Sequence, residues 1–147
     1  MKIEIDGMTP TDQQKQMIYG IMTRQMSCVH GGFGSGKTTA IRFLKKILGD
    51  RLLVLAPTHL TCFIMGPDAE AITIDTYLRA RKREKFKNVE YIVVDESSQA
   101  TYKQYDGLVK LVEKTNVERR KLDLVDQYLT FVGNPYGLPP EDLSDRL

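Results

Sequence analysis

Gly31-Gly32-Phe33-Gly34-Ser35-Gly36-Lys37-Thr38 is the most informative stretch of this 147-residue chain. Its spacing is G-x-x-x-x-G-K-[ST], that of a phosphate-binding loop. Glycines let consecutive backbone N–H groups turn inward around phosphate oxygens with no Cβ in the way. A helix starting near Lys37 adds unsatisfied N–H groups and the positive end of its dipole. Lys37 would reach the β- and γ-phosphates of a nucleotide, and the Thr38 hydroxyl would ligate Mg²⁺. The flanks agree with this reading. Ser27-Cys28-Val29-His30 is short and partly apolar, as a strand leading into the loop should be. Beyond it, Ala40, Ile41, Leu44, Ile47 and Leu48 share one helical face. A merely flexible Gly/Ser loop would explain neither the Lys-Thr pair nor these flanks.

The length suits one domain, residues 1–147, with room for a real core. Apolar content of 41% and charged content of 27% are ordinary for a soluble globular protein. No apolar stretch approaches the roughly 18 residues of a membrane span. Met1-Lys2-Ile3-Glu4-Ile5-Asp6 alternates charged and apolar residues, unlike a signal peptide. Cys28 and Cys62 lack metal-ligand spacing and read as buried thiols of a reducing compartment. With only His30 and His59 beside them, no structural metal is expected, and a cytoplasmic location in a bacterial or virus-infected host cell is. The net charge of +2 is unevenly placed: Arg79, Arg81, Lys82, Arg83, Lys85 and Lys87 crowd around a single acid, Glu84. That cluster fits nucleic-acid phosphates and fits a solvated helix end equally well.

Residues 11–26 read as a helix opened by a T-x-x-Q capping box, Thr11 with Gln14, with Met17, Ile18, Ile21, Met22 and Met26 as its apolar stripe. The Gln14 amide has a second use, since it can donate to and accept from an adenine edge at once; cap and base reader both stand. Leu52-Leu53-Val54-Leu55-Ala56 is continuously apolar, as a parallel strand covered on both faces is. Ala71-Ile72-Thr73-Ile74 reads as a short strand, with Asp75-Thr76 capping the helix after it. Tyr91-Ile92-Val93-Val94 ends in Asp95-Glu96, which sets two carboxylates at the C-terminal edge of a parallel strand, where ligands bind in open α/β sheets. There Asp95 would hold Mg²⁺ and Glu96 would polarise an attacking water. Tyr105, Leu108, Val109 and Val112 have helical spacing, Thr115 to Asp126 is polar, and Tyr128-Leu129-Thr130-Phe131-Val132 reads as a further strand. Alternating strands and helices predict a three-layer α/β fold, a P-loop NTPase with a mostly parallel sheet of about five strands.

With these motifs in view, residues from about Thr9 to Pro140 resemble the first RecA-like domain of superfamily 1 DNA helicases, near the RecD-like and phage helicase branch. Thr11-Asp12-Gln13-Gln14 resembles the adenine-reading Q motif, and Gly31 to Thr38 is similar to motif I. Ala56-Pro57-Thr58-His59 resembles motif Ia, Thr73-Ile74-Asp75-Thr76 the T-I-H-[ST] motif, and Val94 to Ser98 motif II. Gly133-Asn134-Pro135-Tyr136-Gly137-Leu138-Pro139-Pro140 resembles motif III, G-D-x-x-Q-L-P-P. The resemblance implies ATP and Mg²⁺ as cofactors. It assigns Gln14, Gly31, Gly32, Phe33, Gly34, Ser35, Gly36, Lys37, Thr38 and Thr39 to ATP, Thr38 and Asp95 to the metal, and Lys37 and Glu96 to catalysis. It further implies single-stranded DNA as a partner, with Thr58, His59, Thr76, Arg79, Arg81 and Tyr136 as candidate contacts.

The departures are chemical. Asn134 replaces an Asp of the family pattern, Gly137 replaces the Gln that links γ-phosphate to DNA, and Asp75 replaces a His. Only about ten residues, Arg79 to Asn88, precede the next strand, too few for the small subdomain usual there. Motif III is followed by seven residues, without the second RecA-like domain and its arginines, so the sequence is expected to be a fragment or split product whose other half supplies them, or a reduced protein with another task. The resulting expectation is the ATP-binding lobe of a DNA-dependent ATPase, slow by itself and unable to unwind DNA alone. The alternative is a non-catalytic helicase-derived module that binds a protein or single-stranded DNA. A small P-loop kinase fits less well, because neither a zinc-ligand cysteine set nor a lid-like Arg cluster is present.

Overall fold

A computed structural model describes residues 2–23, 36–80, 84–114, 121–125 and 132–133. In chain order the elements are α1 (Asp12–Thr23), α2 (Lys37–Leu48), β1 (Leu52–Ala56), α3 (His59–Met65), β2 (Ile72–Thr73), α4 (Ile74–Arg79), β3 (Tyr91–Asp95), α5 (Tyr102–Lys114), β4 (Lys121–Val125) and β5 (Val132–Gly133). The strands form one sheet in the order β2-β1-β3-β4-β5. β1 runs parallel to β2 and β3, and β3 parallel to β4, whereas β5 is antiparallel to β4. No helix of the described residues is long and apolar enough to cross a membrane.

All five residues of β1 and all five of β3 are buried. Their unbroken hydrophobicity follows from cover on both faces. Leu52 lies opposite Tyr91 and Val54 opposite Val93. These four face a core made with Met17, Ile18 and Ile21 of α1 and Ala40, Ile41 and Leu44 of α2. The alternate residues Leu53, Leu55, Ile92 and Val94 face the second core, with Ile74 and Tyr77 of α4, Leu108 of α5, and Phe86 from the turn 84–86. Strand periodicity of two thus splits the apolar residues between two helical layers. The architecture is three-layer α/β of P-loop type, with a mostly parallel sheet. Tyr77 and Tyr91 are core residues as their contexts suggest, and the Tyr77 ring meets Phe86 edge-on at 4.9 Å.

The first core is closed from below by the N-terminal segment. Ile5 pairs with Met8 around Asp6 and Gly7, both at positive φ, which aims Ile3 and Ile5 inward. Arg42 of α2 ties this hairpin to the turn after α3, bonding Asp6 at 3.3 Å and Asp68 at 2.6 Å. These carboxylates, Asp68 foremost, raise the affinity of the guanidinium for its proton against the cost of burial.

Three of the expected strands stand where the residues indicated, as β1, β2 and β3. The expected strand at 27–30 and residues 128–131 of another lie outside the described residues; Val132 falls in β5. Two local readings are corrected. Ile74 opens α4 instead of ending β2, and the cap of that helix is Thr73, whose hydroxyl accepts the Thr76 N–H, not Asp75-Thr76. The polar stretch 115–126 contains β4: Lys121-Leu122-Asp123-Leu124-Val125 carries period-two alternation that its average polarity conceals.

Candidate nucleotide site

Five described α-helices start in two different ways. α1, α3, α4 and α5 each open on a threonine whose hydroxyl accepts a first-turn N–H: Thr11 from Gln14, Thr58 from Thr61, Thr73 from Thr76 and Thr101 from Gln104. Such a cap satisfies one of the orphan donors of a helix start. α2 has none. It follows Gly36, left-handed at φ 87°, and lacks a side-chain acceptor at its cap. Among the described α-helices, its start is the one without a side-chain cap. Gly36 tolerates that geometry because it has no Cβ.

The first turn of this helix carries Lys37, Thr38 and Thr39, all half-buried. Strand parity brings Asp95 to them. Asp95 shares the face of Tyr91 and Val93, the face on which α2 packs, and its backbone ends β3. The Thr38 hydroxyl donates to Asp95 Oδ2 at 3.1 Å, joining residues 57 apart in sequence. Asp95 is 3% exposed. Burial pushes its carboxyl up from 3.8 to about 6; the Thr38 hydrogen bond opposes this, Glu96 adds to it, and the Glu96 N–H and Lys37 charge oppose it.

Glu96 itself is half-buried and left-handed, at φ 54° and ψ 47°, between β3 and the turn 97–99. Its N–H donates to Asp95 Oδ1 at 3.0 Å, so both Asp95 oxygens are engaged. A non-glycine residue in this region costs on the order of 1 kcal/mol. The strain falls on the second of two adjacent acids, at the C-terminal edge of the parallel strands. Thr38 and Asp95 supply hard oxygen donors that already converge, the donor chemistry Mg²⁺ takes. The structure therefore brings together Lys37, Thr38, Thr39, Asp95 and Glu96. Gly31, Gly32, Phe33, Gly34 and Ser35 lie outside the described residues.

Gln14 makes the capping box: its Oε1 accepts the Thr11 N–H at 2.8 Å, and its own N–H reaches Thr11 Oγ1 at 3.2 Å. Its Nε2 also donates to the Gly36 carbonyl at 3.2 Å. That link was not foreseen. A second T-x-x-Q box, Thr101 with Gln104, went unread although its spacing is the same. Gln104 Nε2 reaches Asp75 Oδ1 at 3.4 Å, so the aspartate that departs from the helicase pattern has an internal partner.

The candidate nucleic-acid residues are dispersed. Thr58 is exposed, and its hydroxyl also lies 3.0 Å from that of Thr61; His59 is exposed at the start of α3. Thr76 is exposed, with its hydroxyl 2.7 Å from that of Thr73, and Arg79 is exposed at the end of α4. Arg81 and Tyr136 lie outside the described residues, as do Asn134 and Gly137. Of the basic cluster, Lys87 pairs with Glu84 and Lys85 lies over the Phe86 ring. Two aromatics of the described residues are largely exposed, Tyr102 at the start of α5 and Phe63, 84% accessible on α3 with Leu60 and Ile64 also exposed.

A family model described as an AAA domain matches residues 9–121. An uncharacterized protein of Methanocaldococcus jannaschii is 26% identical over 148 residues, an alignment covering 88% of this chain and 12% of that protein. Among solved structures, a chain from the structural basis for DNA unwinding at forked dsDNA by two coordinating Pif1 helicases aligns with a TM-score of 0.59 at 21% identity. That alignment covers 94% of this chain and 38% of the other. The present chain thus spans a minor part of the length of each.

Proposed function

Because the chain belongs to the AAA domain family, we propose that it is the ATP-binding lobe of a superfamily 1 helicase-type, DNA-dependent ATPase. One observation carries the proposal: the one described α-helix start without a side-chain cap bears Lys37 and Thr38, and Thr38 is bonded to the buried Asp95 at a strand end. Fold likeness to a chain from a Pif1 helicase structure supports the same reading.

In this reading, N–H groups of Gly31 to Gly36 and of the first turn of α2, through Thr39, cradle the phosphates. Lys37 draws charge from the β- and γ-phosphates. Thr38 and Asp95 hold Mg²⁺, which when bound neutralises charge on the phosphate oxygens. Glu96 orients and polarises the attacking water. Single-stranded DNA would contact Thr58, His59, Thr76 and Arg79, with Arg81 and Tyr136 as further candidates from the sequence, and a second RecA-like domain, in a longer chain or in a partner, would complete the site. An arginine supplied that way is worth roughly 10³–10⁵ in rate, so turnover by this lobe alone is slow.

The test is a titration with Mg-ATP, then turnover with and without single-stranded DNA. Lys37→Ala should abolish binding. Wild-type protein that binds no Mg-ATP would remove the reading. Asn134 and Gly137 favour a second one, a nucleotide-binding module without coupled hydrolysis. Binding of DNA that survives Lys37→Ala, with turnover indifferent to DNA, would select it.

A further inference from the structure

The Gln14 side chain is held at both ends. Oε1 takes the Thr11 N–H at 2.8 Å, and Nε2 gives a hydrogen to the Gly36 carbonyl, 22 residues away, at 3.2 Å. Gly36 is the pivot between the glycine-rich segment and α2. Its carbonyl also accepts the Ala40 N–H at 3.0 Å, the first bond of that helix. The approach is close: a Cβ on Gly36 would stand 2.8 Å from Gln14 Nε2. Glycine at position 36 is therefore required twice, by a φ of +87° and by the seat of the Gln14 amide. Gln104 shows the same device, capping α5 with Oε1 while Nε2 reaches Asp75 on α4. In both places a T-x-x-Q box joins a helix start to a second element.

We propose that Gln14 is a positioning residue for a triphosphate, acting through Gly36, and that it does not select the nucleobase. The inference rests on the phosphate-site reading and adds a specificity to it. An adenine edge would be read by Oε1 and Nε2 together. Here both atoms already have protein partners, and swinging the amide toward a base would break its bonds to the Thr11 N–H and to the Gly36 carbonyl at once, leaving only the Thr11 hydroxyl on the Gln14 N–H as the cap of α1. Held in place, the amide fixes the backbone from which Lys37 and Thr38 project. Its effect should be felt by any ligand that carries the phosphate chain.

Two variants separate the roles. Gln14→Glu keeps the capping box, since a carboxylate accepts the Thr11 N–H, but cannot donate to Gly36. Gln14→Met adds no charge and removes both the donor to Gly36 and the acceptor of the Thr11 N–H. Each is titrated with Mg-ATP, Mg-GTP and magnesium tripolyphosphate, and exchange of the Ala40 amide is followed in the ligand-free protein. Both variants should lose about 5- to 10-fold in affinity for all three ligands, the worth of one hydrogen bond. Ala40 exchange should speed up in both, while the unfolding midpoint of Gln14→Glu stays near that of wild type. A loss confined to ATP would make Gln14 a base reader and overturn the inference. So would a loss seen only with Gln14→Glu, which is charge repulsion, or unchanged tripolyphosphate affinity in both. Wild-type protein that binds none of the three ligands would end the phosphate-site reading, and this role with it.

Discussion

Replacing Asp95 by Asn should make the ligand-free protein more stable. Asp95 is 3% exposed, and burial raises its carboxyl from 3.8 to about 6. A carboxyl whose folded value exceeds its unfolded value binds more protons in the folded state across that interval. Ionised Asp95 therefore opposes folding above pH 6, and the penalty fades as pH falls toward 3.8. The interval corresponds to about 3 kcal/mol at pH 7.5 and about 0.5 kcal/mol at pH 4. Asparagine has the same shape and carries no charge. Its oxygen can accept the Glu96 N–H while its amide donates to the Thr38 hydroxyl, so both neighbours keep a partner. Urea unfolding of both proteins, with the slope unchanged, should show Asp95→Asn more stable by about 2–3 kcal/mol at pH 7.5, with the gain nearly gone at pH 4. Adding Mg-ATP should stabilise the wild type by mass action and leave the variant almost unmoved. A variant no more stable than wild type at pH 7.5, or a gain that does not change with pH, would refute the reasoning. The ionised carboxylate is a cost to the fold.

Glu96→Gln should retain Mg-ATP binding and lose roughly 10²–10⁴ in single-turnover hydrolysis; equal turnover would remove Glu96 from the reaction. Thr73→Val keeps the shape of a buried side chain but withdraws the acceptor of the Thr76 N–H. It should cost about 1 kcal/mol in denaturant unfolding, and a neutral result would mean that Thr73 is not the working cap of α4. Gly20 lies within α1 with open space where a Cβ would go. Gly20→Ala should therefore stabilise by up to about 1 kcal/mol, and destabilisation would count against the helix as drawn.

The parts of the fold legible in advance were those with strong local periodicity. Leu52 to Ala56 and Tyr91 to Val94 read as buried parallel strands, because side chains covered on both faces leave no polar alternation. α2 was legible from its apolar face and from Lys37-Thr38. β4 was not, because charged residues dilute its alternation and only the neighbouring β3 makes it a strand. Thr73 was passed over as a cap because the β-favouring Ile72 and Ile74 flank it, and a helix start depends on where the chain turns. The exposed Phe63 face was equally hidden, since spacing alone does not say what an apolar stripe faces.

The order of residues alone determined the chemistry available to this protein: a glycine-rich run closed by Lys37-Thr38, an apolar strand ending in Asp95-Glu96, and T-x-x-Q boxes at two helix starts. Tertiary structure decided which of these groups meet. Strand parity turned Asp95 onto the face of α2 and within hydrogen-bond reach of Thr38. The packing of α1 against α2 carried the Gln14 amide to the Gly36 carbonyl. Neither contact is encoded locally, because each joins groups far apart in sequence. The distances depend on how the layers stack.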